Sequence, residues 1–153
     1  LGYATTCSAI HMTQPHAESM TACMRQALAQ ACLEPGQVAA VNAHATGTLQ
    51  GDAAEALAMR ALLGTQVPVT AFKGQLGHTL AASGAIECIG LAGMFSRREL
   101  WPIMHFENPL PEGEGLNIVG SKRVWVPGPV LKNSFAFGGI NASLVLAPLD
   151  EHA

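Results

Sequence analysis

Apolar residues along the first two thirds of this chain follow two alternating patterns. Residues 2–9 have strand-like sequence, and short, mostly apolar runs typical of buried strands occupy residues 38–43 and 67–72. Longer segments with helical composition occupy residues 17–31, 52–63 and 81–97. Asp52 suits the N-terminal turn of the second helix and Gly64 suits its C-cap. The pattern therefore predicts strands that alternate with helices.

The pattern changes after the third predicted helix, where prolines and glycines become frequent. Residues 101–115 predict a loop or a short extended connection, and residues 116–119 fit a short strand. Residues 130–135 and 142–147 fit two strands on either side of a glycine pair, which predicts an antiparallel hairpin. Strand–helix alternation that ends in a hairpin predicts one α/β domain, with a mixed sheet and helices packed on its faces.

The composition adds an expectation about the surface. Hydrophobic residues make up 49% of the chain and charged residues only 12%, about half of the usual charged share of roughly a quarter. No apolar run is long enough to cross a bilayer. We therefore expect half of a larger body or an obligate oligomer, the alternative being an ordinary domain with a large core. The net charge of −3, without a basic run, excludes a typical nucleic-acid surface.

The cysteines predict a reducing environment. No two of them have CxxC spacing, and Cys23, Cys32 and Cys88 fall within apolar helical patterns. We interpret them as reduced thiols that act as small hydrophobic residues in a cytoplasmic protein. The chain opens at Leu1 directly with strand-like sequence and without a secretory or transit segment, as expected of a fragment.

Candidate chemistry is concentrated in three glycine-rich segments. They are NAHATGT at residues 42–48, KGQLGH at 73–78 and NSFAFGGIN at 133–141. His44 and His78 lie on two separate strand-to-helix loops, and we expect them to converge in a cleft that stabilises an oxyanion. His78 is expected to begin a helix, whose dipole would keep the imidazole neutral. Either histidine alone is more readily structural, but the pair favours catalysis.

Two further interpretations follow from these segments. Lys73 ends an apolar strand, where a lone ammonium is costly to bury, and Glu87 in the next helix is a plausible ion-pair partner. The alternative is that Lys73 extends to solvent. Metal binding by His44, His78 and a cysteine lacks close ligand spacing, so we predict no metal site.

These segments resemble the C-terminal half of β-ketoacyl-[acyl-carrier-protein] synthases, the condensing enzymes of the thiolase superfamily. HATGT at 44–48 matches H-G-T-x-T, KGQLGH matches K-x-x-x-G-H, and NSFAFGGIN matches N-S-F-G-F-G-G-x-N. Residues 51–56 match G-D-x-x-E-A, and His11-Met12-Thr13 resembles a segment before the first helix of that half. The resemblance covers nearly the whole chain and implies a thiolase-like half-domain over residues 1–153.

The resemblance also implies a reaction and roles for residues. Such enzymes acylate a cysteine, and decarboxylation of a malonyl-carrier then gives a carbanion that attacks the acyl thioester. The matching positions imply catalytic histidines at His44 and His78, a supporting pair Lys73 and Glu87, and a gating residue Phe137; the phosphopantetheine arm would contact Thr46, Thr48 and Thr13. No resident cofactor is implied, because the phosphopantetheine belongs to the acyl carrier protein. The implied partners are that carrier, a cysteine-bearing N-terminal half and a second copy of the full enzyme.

Two departures and one missing group qualify the resemblance. Ala45 and Ala136 replace glycines of the family pattern, and the second is expected to stiffen the turn at Phe137. Cys7 precedes His11 too closely to be the family's nucleophile, which belongs to the first half. We therefore predict that this chain alone cannot condense acyl groups. The alternative function is a non-catalytic partner that shapes the acyl tunnel, as a chain-length factor does.

Overall fold

A mixed five-stranded sheet and a two-stranded ribbon form the framework of the computed structural model, which describes residues 1–8 and 12–149. The strands in chain order are β1 (Gly2–Cys7), β2 (Ala40–Asn42), β3 (Val69–Thr70), β4 (Glu99–Leu100), β5 (Arg123–Val124), β6 (Val130–Phe135) and β7 (Ile140–Leu146). The α-helices are α1 (Ala17–Gln30), α2 (Leu49–Leu63), α3 (Lys73–Leu76) and α4 (Ser83–Arg97). This arrangement confirms the predicted α/β class and the mixed sheet.

The strand order of the main sheet is β1-β7-β6-β2-β3. β2 pairs in parallel with both β3 and β6, whereas β7 pairs antiparallel with both β1 and β6. The predicted hairpin forms from β6 and β7, joined by a 3-10 turn at Phe137–Gly139. Because parallel strands end at the same edge of a sheet, the segments that follow β2 and β3 lie side by side.

Helices cover both faces of the sheet and create two apolar cores. One core joins α1 and α2 to Leu131 and Phe135 of β6. The other joins α4 to Val130 of the same strand. Successive β6 side chains thus point to opposite layers, as the two-residue period of a strand requires.

Several predicted boundaries differ from the structure. Residues 116–119 form an isolated parallel bridge between Ile118 and Val69 instead of the predicted short strand. The ribbon of β4 and β5 was not predicted, since each strand is only a residue pair within a region rich in turns. The second predicted helix begins earlier, at Leu49, with Asp52 in its first turn and Gly64 at its C-cap as expected. Ala9 and His11, from the predicted first strand and the His11-Met12-Thr13 match, lie outside the described residues.

The cysteines are all unpaired, as predicted, but one of them is not a core residue. Cys23 is buried and Cys88 is half-buried, whereas Cys32 is exposed. The core prediction for Cys32 is wrong because α1 ends at Gln30, and Cys32 follows in a left-handed conformation with φ of +55°.

Large apolar side chains remain exposed on this weakly charged domain. Ile89 on α4 is 72% exposed, and Tyr3 on β1 is 60% exposed. Within the part of the chain that the structure describes, no helix has both the length and the apolar content needed to cross a bilayer. That a second protein surface covers these exposed apolar side chains stays a prediction.

Candidate active site

His44 and His78 meet at one cavity of about 960 Å³. His44 follows β2, and His78 follows the short helix α3. The centroids of their rings are 5.4 Å apart and the ring planes are perpendicular. The cavity is as large as the bigger small-molecule sites of proteins. The predicted convergence of the two imidazoles is therefore present, while their chemical roles stay predictions.

The buried carboxylate of Glu55 on α2 holds the loop that carries His44. Its two oxygens accept the backbone N–H groups of His44 at 2.8 Å and of Ala45 at 2.9 Å. The side-chain amide of Asn133 on β6 donates to the same carboxylate at 3.1 Å. Burial raises the pKa of Glu55, and these three donors oppose that shift. The sequence shows Glu55 only as part of the G-D-x-x-E-A match, because the donors to its carboxylate lie on distant segments.

The environment of His44 keeps its imidazole neutral. Burial is the largest cause that lowers the pKa of His44 to about 3, and the positive charge of Lys73 and the neighbouring His78 contribute to the same shift. The ring of Phe135 also lies edge-on, with its centroid 6.3 Å from that of His44. A neutral ring carries one N–H that can donate to an oxyanion.

A hydrogen bond from the backbone sets the tautomer of the His78 imidazole. Its Nδ1 accepts the backbone N–H of Leu80 at 3.1 Å, so the ring proton of the neutral form lies on Nε2. The prediction that His78 begins a helix is wrong, since α4 starts at Ser83 after a 3-10 turn at Leu80–Ala82. The helix dipole therefore does not explain the state of this imidazole.

The predicted pair of Lys73 and Glu87 is a buried ion pair, with Nζ to Oε1 at 2.5 Å. Lys73 begins α3 instead of ending a strand, and it does not extend to solvent. Lys132 on β6, which no sequence motif indicated, is a second partner of this carboxylate, with Nζ 2.8 Å from Oε2 of Glu87. Burial raises the pKa of Glu87, but hydrogen bonds from both ammonium groups outweigh this and hold the pKa below its usual value.

The other predicted site residues line the same cavity as the two histidines. They are Thr13, Thr46, Thr48 and Phe137. The hydroxyls of Thr46 and Thr48 lie 3.2 Å apart, and the Phe137 side chain is 76% exposed. The turn after Phe137 is fixed by the backbone, because the N–H of Gly138 donates to the carbonyl of Met12 at 2.7 Å.

Comparison with known proteins identifies the family to which the chain belongs. The family model for the β-ketoacyl synthase C-terminal domain matches residues 1–107. This chain belongs to the β-ketoacyl synthase family. A 3-oxoacyl-[acyl-carrier-protein] synthase I, chloroplastic, from Hordeum vulgare is 34% identical over 97% of the synthase domain and 33% of the relative. The domain thus spans about a third of the length of the curated relatives that it matches.

Solved structures support the family at the level of the fold. A β-ketoacyl synthase from Burkholderia phymatum STM815 superposes with a TM-score of 0.93 at 37% identity, over 97% of the domain and 37% of that chain. A type II PKS ketosynthase, solved with its acyl-carrier protein and a hexaketide, gives a TM-score of 0.91 at 30% identity, over 97% of the domain and 38% of that chain. The predicted thiolase-like fold is confirmed.

The two alanines that depart from the family pattern differ in backbone strain. Ala45 has φ of +38°, in the left-handed region, whereas Ala136 is extended with φ of −113°. We expect Ala45→Gly to raise the free energy of unfolding of the synthase domain by about 0.5–1 kcal/mol, because glycine relieves the strain. The matched change Ala136→Gly should lower it by about 0.5 kcal/mol, since only the unfolded chain gains freedom. Urea unfolding measures both, and equal signs would contradict the assignment of strain to Ala45.

The low pKa of His44 predicts a pH dependence of stability. Between the ordinary value of 6.5 and the folded value of about 3, the unfolded chain binds a proton at His44 that the folded domain does not. The free energy of unfolding should therefore fall as the pH drops from about 6.5 toward 3. Urea unfolding from pH 4.5 to 7.5 should show a smaller pH slope for His44→Gln than for the wild type. Parallel curves for wild type and His44→Gln would refute the shift.

Proposed function

We propose that this chain supplies the histidine-bearing part of a decarboxylating β-ketoacyl-[acyl-carrier-protein] synthase. The observation that carries the proposal is the perpendicular pair of imidazoles, His44 and His78, at 5.4 Å in one large cavity. The names of the matched 3-oxoacyl-[acyl-carrier-protein] synthases support the same reaction class. The product would enter fatty-acid or polyketide synthesis.

The two imidazoles would act on a malonyl thioester. When the carbon–carbon bond to the carboxylate breaks, CO2 leaves and the electron pair moves into the thioester carbonyl, which becomes an enolate oxygen. N–H donors from His44 and His78 would stabilise this oxyanion. The enolate carbon then attacks an acyl thioester on a cysteine, a new carbon–carbon bond forms, and the cysteine leaves as a thiolate.

Other residues would position the substrate and the loops. Thr46, Thr48 and Thr13 line the cavity and would hydrogen-bond the phosphopantetheine arm of the carrier. Lys73 and Glu87 would hold the segment that precedes His78. Phe137, mostly exposed at the cavity, would gate acyl entry, and its backbone N–H would bind the acyl oxyanion. The carrier's arm comes with the substrate, so the proposal includes no resident cofactor.

The nucleophile would come from a separate half of the enzyme. Among the residues that the structure describes, no cysteine lines the cavity. The thiol of Cys7 lies 3.7 Å from the carbonyl of Gly138 instead. We therefore propose that the isolated chain is inactive and that a cysteine-bearing N-terminal half completes the site. A carrier protein and a second copy of the whole enzyme are the other proposed partners.

Reconstitution tests this function. The chain is assayed alone, with Cys7→Ala, and after mixing with the N-terminal portion of the Burkholderia phymatum synthase, using acyl- and malonyl-carrier substrates. We expect β-ketoacyl product only from the mixture, with equal yield from wild type and Cys7→Ala. Turnover that depends on Cys7 in the isolated chain would overturn the proposed division of the site.

The alternative role is a tunnel-shaping partner that does not catalyse. The paired histidines argue against it, because a scaffold has no chemical need for two imidazoles. Under that alternative, a reconstituted enzyme with alanine at both His44 and His78 would keep the full rate. The same assay therefore separates the two functions.

A further inference from the structure

Lys132 on β6 is a buried cation that the proposed chemistry does not yet use. Its side chain is about 1% exposed. The ammonium donates to the backbone carbonyl of Asn133 at 2.9 Å and to the hydroxyl of Ser134, and it lies 2.8 Å from Oε2 of Glu87. Oxygen atoms surround the Lys132 ammonium group and fix its position, whereas the ammonium group of an exposed lysine changes position freely.

The cluster around Glu87 contains more positive than negative charge. Oε1 of Glu87 takes the ammonium of Lys73 at 2.5 Å and the hydroxyl of Ser83 at 2.9 Å, while Oε2 faces Lys132. Within residues 1–8 and 12–149, neither ammonium has another carboxylate at ion-pair distance. Two ammonium groups thus share one carboxylate, and one positive charge stays uncompensated in a buried region.

Neighbouring residues of β6 reach both histidine loops from opposite faces of the sheet. On one face, Lys132 holds Glu87, which holds Lys73 at the start of α3, just before His78. On the other face, the amide of Asn133 donates to Glu55, which fixes the backbone N–H of His44. A single dipeptide of one rigid strand therefore connects the supports of both imidazoles.

We propose that Lys132 is a positioning residue for the segment that carries His78, and that its extra positive charge makes the cleft shared by His44 and His78 favour an anionic reacting group. The inference rests on the proposed function, because an enolate is the anion that the two imidazoles would bind. Lys132 acts through Glu87 and through its charge, without touching the substrate. A buried charge is screened less than a solvated one and therefore acts over a longer distance.

The test is a titration of His44 by NMR in the isolated 153-residue chain. The charged groups that act on His44 are Lys73, His78, Glu87 and Lys132. We expect Lys132→Gln to raise the pKa of His44 above its value of about 3 by an amount that NMR resolves, because one nearby positive charge is lost. Lys132→Arg, which keeps the charge, and Lys122→Gln at an exposed lysine should leave the His44 pKa unchanged. An unchanged His44 pKa in folded Lys132→Gln would overturn the proposal.

A second measurement needs no variant. In the wild-type chain at pH 7, the Lys132 side chain should give a 15N signal of a charged ammonium that is protected from exchange with water. A neutral amine at this position would remove the extra charge and defeat the inference even if Lys132→Gln does not fold. Both measurements omit substrate and carrier, so their failure is distinguishable from failure of the condensation assay.

Discussion

Alanine at His44 or at His78 should lower the condensation rate of the reconstituted synthase by about a hundredfold to a thousandfold. Each change removes one N–H donor from the position where the enolate oxygen would develop, and loss of one such donor typically has an effect of this size. The 5.4 Å separation of the ring centroids lets both donors approach one oxygen atom. The measurement is the rate of β-ketoacyl product formation at saturating malonyl-carrier.

A second readout and a matched control sharpen this prediction. Release of CO2 from malonyl-carrier should fall together with condensation, whereas acylation of the partner's cysteine should continue. The control is His105→Asn, at an exposed histidine outside this cavity. The backbone at position 105 has a left-handed φ of +60°, which asparagine tolerates. That variant should keep the wild-type rate. Equal rates for all three variants would contradict a role of the pair in catalysis.

Replacement of Glu87 by glutamine should lower the free energy of unfolding by about 3–5 kcal/mol. The substitution leaves the buried ammonium groups of Lys73 and Lys132 without a carboxylate, and breaking a buried ion pair from one side has a penalty of this order. Urea unfolding at pH 7 measures the loss.

An exposed ion pair of the same domain supplies the control. Glu99 lies 3.2 Å from Lys122, whose side chain is largely exposed, so Glu99→Gln should leave the free energy of unfolding nearly unchanged. A triple variant with methionine at Lys73 and Lys132 and leucine at Glu87 should recover much of the lost stability, because the unpaired charges are absent. Equal losses of unfolding free energy for Glu87→Gln and Glu99→Gln would show that the buried cluster contributes no more to stability than the exposed ion pair.

Local patterns predicted the elements that depend on neighbouring residues. The hairpin of β6 and β7 was predictable because two apolar strands flank a glycine turn, which has few alternatives. The meeting of His44 and His78 was predictable because each follows one of two strands in a strand–helix alternation, and parallel strands end at one edge.

The missing parts depend on contacts between distant segments. The sequence pattern around Lys132 is that of a strand residue that faces solvent, and only the packing of α4 places Glu87 next to its ammonium group. Glu55 has the sequence pattern of an ordinary helix residue, and only the tertiary structure brings two backbone N–H groups of the His44 loop to its carboxylate. The helix α3 is a single turn of mostly polar sequence, too short for any apolar period.

The pairing of the first strand with the last has a consequence for how the domain is made. β1 lies at the sheet edge against β7, with Gly2 opposite Val145. This pairing joins residues that lie far apart in the sequence, and contacts of this kind slow folding. During synthesis on the ribosome, β1 therefore cannot pair with β7 until residues 140–146 have emerged.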